Sequence, residues 1–122
     1  MKQENVMVDK SKAFALRIVN LYKYLNENKK KYILSKQLLR SGTSIGANVK
    51  EAIRGQSKQD FIAKMNISLK EASETEYWLE LLHETDYLDD NEFESIYKEC
   101  QELLKILITI VKNSKYSFSN CG

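Results

Sequence analysis

Six cations on two consecutive helical segments, Lys36, Arg40, Lys50 and Arg54 followed by Lys58 and Lys64, are the residues of this chain best arranged for recognisable work. At 100° per residue the first four fall on one narrow stripe opposite Leu38, Ile45 and Val49, so an amphipathic helix would turn them outward together. Such a stripe could track successive phosphates without any group that reads a base, and Lys29, Lys30 and Lys31 lie just upstream. Charge is divided along the whole chain. Residues 1–70 hold 15 Lys and Arg against 5 Asp and Glu, a net of +10, and residues 71–122 hold 4 against 12, a net of −8. A face that holds a polyanion is one consequence. The competing consequence is that these charges are solvated and pair between helices.

Reactive chemistry is not indicated. His83 is the sole histidine, no Cys or Asp pattern has zinc or calcium spacing, and the Glu-x-x-His pattern (Glu80, His83) occurs once where a di-iron bundle needs it twice. There is no Gly-rich phosphate loop, nucleophile elbow or Cys/His pair. The chain therefore reads as a non-enzyme with no metal, cofactor or small-molecule substrate. Glu76 interrupts an apolar stripe between Ala72 and Leu79, where a carboxylate needs a partner. Arg40, Asn48 and His83 are the candidates, in a polar network that fixes helix register.

The elements that position these residues are all helical. With no Pro among 122 residues and only Gly42, Gly46, Gly55 and Gly122, the interior holds few helix breakers. Four amphipathic segments are predicted at about 9–26, 33–54, 57–85 and 90–113, with a flexible tail at 114–122. Asp9 is the expected N-cap of the first, the stretch Asn26 to Lys31 its exit loop, and Gly55 a left-handed stop for the second. Ser57 with Asp60 starts the third, and Asp89 with Glu92 has capping-box spacing for the fourth. Short connections predict one domain over 1–122, an antiparallel up-down-up-down four-helix bundle. Its expected core is Phe14, Ile18, Leu38, Ile45, Val49, Phe61, Leu69, Leu79, Tyr97, Leu104 and Leu107. The longest apolar run, Ile106 to Val111, is far too short to span a bilayer, and the N-terminal stretch lacks the apolar core of a signal peptide. With Cys100 on an apolar stripe and Cys121 in a polar tail, a cytoplasmic protein without a disulfide is expected.

Two local features need a further explanation. Ser41-Gly42-Thr43-Ser44-Ile45-Gly46-Ala47-Asn48 is made largely of poor helix formers, and its two glycines alone cost about 2 kcal/mol relative to alanine. Close approach of a neighbouring helix is the main reading, and a ligand contact the other. On helix three, Ala63, Ile67, Trp78 and Leu81 form a second apolar stripe, and Ile106 and Ile110 widen the arc of helix four. These six residues are the candidate interface of a homo-oligomer.

The run Leu38-Leu39-Arg40-Ser41-Gly42-Thr43-Ser44-Ile45-Gly46-Ala47-Asn48-Val49-Lys50-Glu51-Ala52 resembles the bacterial four helix bundle proteins, or 23S rRNA-intervening sequence proteins. Ser57-Lys58, Phe61-Ile62, Asn66-Ile67-Ser68-Leu69 and Glu76 continue the resemblance, with Gly46 in place of a usual Pro and Ala52 in place of a usual Gly. It implies a four-helix bundle with no established activity for most members. Similar proteins serve diversity-generating retroelements as homopentameric accessory proteins, associated with a reverse transcriptase and its RNA. By this resemblance Arg40, Ser44, Asn48, Glu51, Asn66 and Glu76 are architectural positions, the subunit number is five, and RNA or DNA and a reverse transcriptase are possible partners.

Overall fold

The computed structural model describes residues 2–29 and 32–121, with side chains over 4–28 and 33–114. Four α-helices follow one another: α1 Lys2–Tyr24, α2 Tyr32–Ile53, α3 Lys58–Glu84 and α4 Asp90–Cys121. Among the described residues there is no strand. Each helix lies against its neighbour in sequence, and α1 closes the bundle against α4 along a thinner seam. Contacts run in opposite directions at every interface. Arg40, Ile45 and Glu51 of α2 meet Glu74, Ser68 and Lys64 of α3 in that order, and Lys10 and Arg17 of α1 meet Glu102 and Glu99 of α4. The bundle is therefore antiparallel throughout, with α1–α2 and α3–α4 connections at one end and the α2–α3 connection at the other.

Helix boundaries follow burial more than caps. The structure starts α1 at Lys2, and Asp9 lies inside the helix rather than capping it. Nothing between Lys2 and Asp9 breaks a helix, and the fully buried Met7 extends the stripe of Phe14, Ile18 and Leu25 by two turns. The expected exit loop is partly helical: Leu25–Lys29 form a π-helical turn, with Leu25 buried and Ser35 donating to Asn26 Oδ1 at 2.6 Å. Gly55 does not take a left-handed conformation; among the described residues the one with positive φ is Asp86, at 65° in the α3–α4 turn. There the Tyr87 N–H reaches back to the Leu82 carbonyl at 2.8 Å, closing the end of α3. Ser57 caps α3 by accepting from the Asp60 N–H, and Asp89 accepts from the Glu92 N–H at 2.8 Å to start α4. The predicted end of helix four at 113 is passed, the backbone remaining helical to Cys121.

The core contains Phe14, Ile18, Leu38, Ile45, Val49, Leu79 and Leu107 as expected. Phe61, Leu69, Tyr97 and Leu104 are instead half-buried and pack against it. The buried line of α3 is Met65, Ser68, Ala72, Thr75, Leu79 and Leu82, a strict alternation of three and four residues. Its small centre lets α2 approach, with the Ser68 hydroxyl donating to the Ile45 carbonyl at 2.9 Å. Thr75 donates to Ser41 Oγ at 2.9 Å and lies 2.7 Å from the Glu71 carbonyl oxygen. These buried hydroxyls are satisfied, so they fix register without a desolvation penalty. Because Thr75 occupies the core position, Glu76 is turned to its edge and stands only half-buried. None of its expected partners reaches it: Arg40 binds Glu71 and Glu74, Asn48 donates to the Ser44 carbonyl, and His83 pairs with Asp90.

Close packing explains the glycines of α2. A Cβ on Gly42 would stand 2.9 Å from both Cγ1 and Cγ2 of the buried Ile18, and one on Gly46 would stand 3.3 Å from the Ser11 carbonyl oxygen. Helix α1 therefore lies directly on the α2 backbone at these two levels.

Candidate nucleic-acid interface

The stripe predicted on α2 is divided by what its members touch. Arg40 forms ion pairs with Glu74 and with Glu71, the latter at 3.2 Å, and its guanidinium also donates to Gln37. Lys64 on α3 pairs with Glu51 on α2 at 3.1 Å. Both of these candidates thus join α2 to α3. Lys36, Lys50 and Arg54 are exposed and form no ion pair among the described residues. Lys36 stands 18 residues before Arg54, a rise of about 27 Å, so these three are not one cluster. Lys58 opens α3 at the Arg54 end. Lys30, Lys31 and the side chain of Lys29 lie outside the described residues.

Lys50 and Arg54 gain a companion that the α2 stripe does not contain. Between α1 and α2 runs an open trough of about 480 Å³, lined by Ser11, Lys12, Thr43, Gly46, Lys50 and Arg54 with Val8, Ala15, Ala47 and Ile53. Three of its lining residues are cations and none is acidic. At Gly46, Ser11 lies directly against the α2 backbone. The floor is chemically quiet: the Thr43 hydroxyl donates to the Leu39 carbonyl at 2.7 Å, and the Ser11 hydroxyl to the Val8 carbonyl at 3.3 Å. Lys12 was legible only through the α1–α2 register. The signal for it is the pairing of Ser11 and Ala15 on α1 with Gly46 and Ala47 on α2, small residues that mark where two helices meet and which cations flank the contact.

Elsewhere part of the charge is paired between helices. Across the α1–α4 seam Lys10 binds Glu102, and Arg17 reaches Glu99 at 2.8 Å and Ser95 at 2.9 Å. Two smaller hollows flank Arg17 on that seam, of about 230 and 320 Å³. The carboxyl of Glu102 is held below its usual range by the hydrogen bond from Lys10 and by the charge behind it. At the opposite end of the bundle from Arg54, His83, Asp86, Asp89, Asp90 and Glu92 surround an acidic hollow. His83 stacks on Phe93 at 4.0 Å between ring centres, and Phe93 stacks on Tyr97. Tyr97 donates to Glu80, and that carboxylate, with burial, holds the phenol proton well above its usual range. Burial, with the fields of Glu76 and Glu80, pushes the Cys100 thiol up to about 12. These groups hold protons firmly and serve packing. Among the described residues no His, Cys, Asp and Glu converge in a set that could hold a metal ion, and no helix is long and apolar enough to cross a membrane.

Ser44 and Asn48 fold back on carbonyls of their own helix, Glu51 is the partner of Lys64, and Asn66 and Glu76 are half-buried. The candidate oligomer residues separate into two groups. Ala63 and Ile67 are exposed on α3, and Trp78 and Leu81, further along the same helix, are half-buried. Ile110 is buried in the subunit's own core, and Ile106 packs against that core. Sequence reasoning missed Tyr77, 54% exposed next to Trp78. The indole N–H of Trp78 is buried without a hydrogen-bond partner among the described residues.

Over residues 3–109 the chain matches the family described as 23S rRNA-intervening sequence protein. It belongs to that family. A 1.70 Å crystal structure of a protein of unknown function from the S23 ribosomal protein family of Bacteroides thetaiotaomicron is 57% identical to it. The similarity covers 90% of this chain and 98% of that one, with a TM-score of 0.88. No curated protein matches. In this member of the 23S rRNA-intervening sequence proteins, the two departures from the usual motif have visible settings: Gly46 lies under Ser11, and Ala52 is buried near the end of α2.

Proposed function

We propose that this 23S rRNA-intervening sequence protein is a non-enzymatic, cytoplasmic accessory protein that binds RNA or DNA through its basic α1–α2 face and acts as a homo-oligomer. The observation that carries the reading is the trough that Lys12, Lys50 and Arg54 line together, none of them in an ion pair among the described residues. One subunit offers only a few phosphate contacts, which corresponds to non-specific dissociation constants of roughly 10⁻⁴ to 10⁻⁶ M. Repeating the trough around an oligomer would raise avidity by roughly 10² or more where the spacing allows. A ring of five is preferred on the resemblance to retroelement accessory proteins, as is a reverse transcriptase as a further partner. The exposed Ile67 and Tyr77, with Trp78 against Tyr77, are the surface such an assembly would cover.

Retardation of a mixed-sequence RNA at low salt, with light scattering to count subunits, tests both parts. A salt-sensitive shift and several subunits are expected. No shift at low salt overturns the nucleic-acid reading, and a monomer overturns the assembly. A second reading, an oligomeric scaffold for another protein, is favoured by Leu16 and Ile33, which are 60% and 78% exposed on the outside of the bundle.

A further inference from the structure

The trough has a direction and a wall chemistry, and both bear on the form of nucleic acid it suits; the argument rests on the binding reading above. Lys50 and Arg54 are four residues apart on α2, a rise of about 6 Å. Lys12 follows Ser11, which lies against Gly46, and Gly46 is again four residues before Lys50. Lys50 and Arg54 are therefore about one helical turn, roughly 6 Å, apart on one wall of the trough, and Lys12 stands on the facing wall near the level of Gly46. That interval is close to the separation of consecutive phosphates along one extended strand.

Between the cations the walls are apolar. Val8 and Ala15 belong to α1, and Ala47 and Ile53 to α2, with Ile53 left 43% exposed. In a duplex the bases are stacked away from the protein, and a backbone laid along the trough would present only phosphate and sugar to these walls. An unpaired strand can turn ribose and base faces onto Val8 and Ile53 while its phosphates meet the cations. Because the Thr43 and Ser11 hydroxyls are committed to helix carbonyls, the floor offers no side-chain donor to a base edge. Sequence preference is not expected.

We propose that the α1–α2 trough binds a single strand of nucleic acid in preference to a duplex, with Lys50 and Arg54 on successive phosphates, Lys12 meeting the strand from the facing wall, and Val8 and Ile53 against the sugars and bases.

The test is fluorescence anisotropy of the full chain with one end-labelled mixed-sequence RNA, presented alone and annealed to its complement, at the same low salt. The single strand is expected to bind about tenfold more tightly, the equivalent of one modest apolar contact per strand. Ile53→Ser, at an exposed position, should bring that ratio close to one while leaving duplex affinity within about twofold. Lys12→Gln should lower the salt slope for the single strand by about one contact. Helicity and melting temperature of each variant are measured alongside. Equal affinity for strand and duplex overturns this proposal and leaves nucleic-acid binding intact; so does an unchanged ratio in Ile53→Ser. Binding to neither form overturns the functional reading itself.

Discussion

Arg40 on α2 is bound to Glu74 on α3, and this one relationship changes the meaning of the basic stripe. A cation that looks available from sequence periodicity is occupied in joining two helices, with Glu71 as a second partner at 3.2 Å. Exposed pairs of this kind contribute about 0.2–1 kcal/mol each. Arg40→Gln is therefore expected to lower stability by about 1 kcal/mol or less in denaturant melts at fixed subunit concentration. Its effect on RNA affinity should be under twofold. A loss of affinity comparable to that of Arg54→Gln would show that Arg40 leaves its carboxylates to bind phosphate.

The approach of α1 to α2 at Gly42 gives a second expectation. A methyl there would meet Ile18 at 2.9 Å, and Ile18 is wholly buried, so it has no free space to move into. Overpacking costs about 1–3 kcal/mol, against a helix-propensity gain of about 1 kcal/mol for replacing glycine. Gly42→Ala should be neutral to destabilising despite the better helix former. In a cycle with Ile18→Ala, which removes both contacting carbons, the alanine at 42 should become favourable by up to about 1 kcal/mol. Strict additivity would mean that the helices separate freely at this level.

Inside the bundle, Thr75 and Ser41 share a hydrogen bond of 2.9 Å with no access to water. Thr75→Val removes the donor of that bond, while the Ser41 hydroxyl still donates to the Leu38 carbonyl at 3.4 Å, so the expected cost is about 1 kcal/mol. Because each single change breaks the same bond, the double variant Thr75→Val/Ser41→Ala should lose less stability in urea melts than the two single losses added together, and strict additivity would contradict the pairing.

Much of the fold was legible because the apolar period of α2 and the C-terminal helix is clear: Leu38, Ile45, Val49 and Leu107 are all in the core. On α3 the signal was ambiguous. Ser68 and Thr75 hold core positions there, so large neighbours such as Leu69 were mistaken for the buried line, and Glu76 was drawn into it. Leu79→Ala should accordingly cost more than Leu69→Ala, since only the former is fully buried. The candidate site was half-legible. Lys50 and Arg54 follow from the period of one helix, whereas Lys12 depends on which level of α1 faces Gly46, a relation between helices. The ion pairs of Arg40 and Lys64 do not show in the sequence for the same reason, their carboxylates lying on a neighbouring helix.

The α1–α4 seam should respond to acid. Lys10 lowers the Glu102 carboxyl in the folded chain, so the stabilisation it gives is complete above the ordinary carboxylate range and is lost as pH falls through the depressed folded value. Amide exchange in α1 should rise selectively on acidification through that window, and Glu102→Gln should remove the selective part. Exchange rising equally in α2 and α3 would place the acid response elsewhere.

The most direct measurement is the slope of log affinity against log salt for a single-stranded RNA, compared between the native chain and two sets of variants. Lys12→Gln/Lys50→Gln/Arg54→Gln removes the unpaired cations of the trough, and Arg40→Gln/Lys64→Gln removes the paired ones. Three lost phosphate contacts should make the slope shallower by about 2 for the first set, and the second set should follow the native line. Equal slopes for the native chain and the trough variant, or a loss confined to the Arg40 and Lys64 variant, would contradict a nucleic-acid site between α1 and α2.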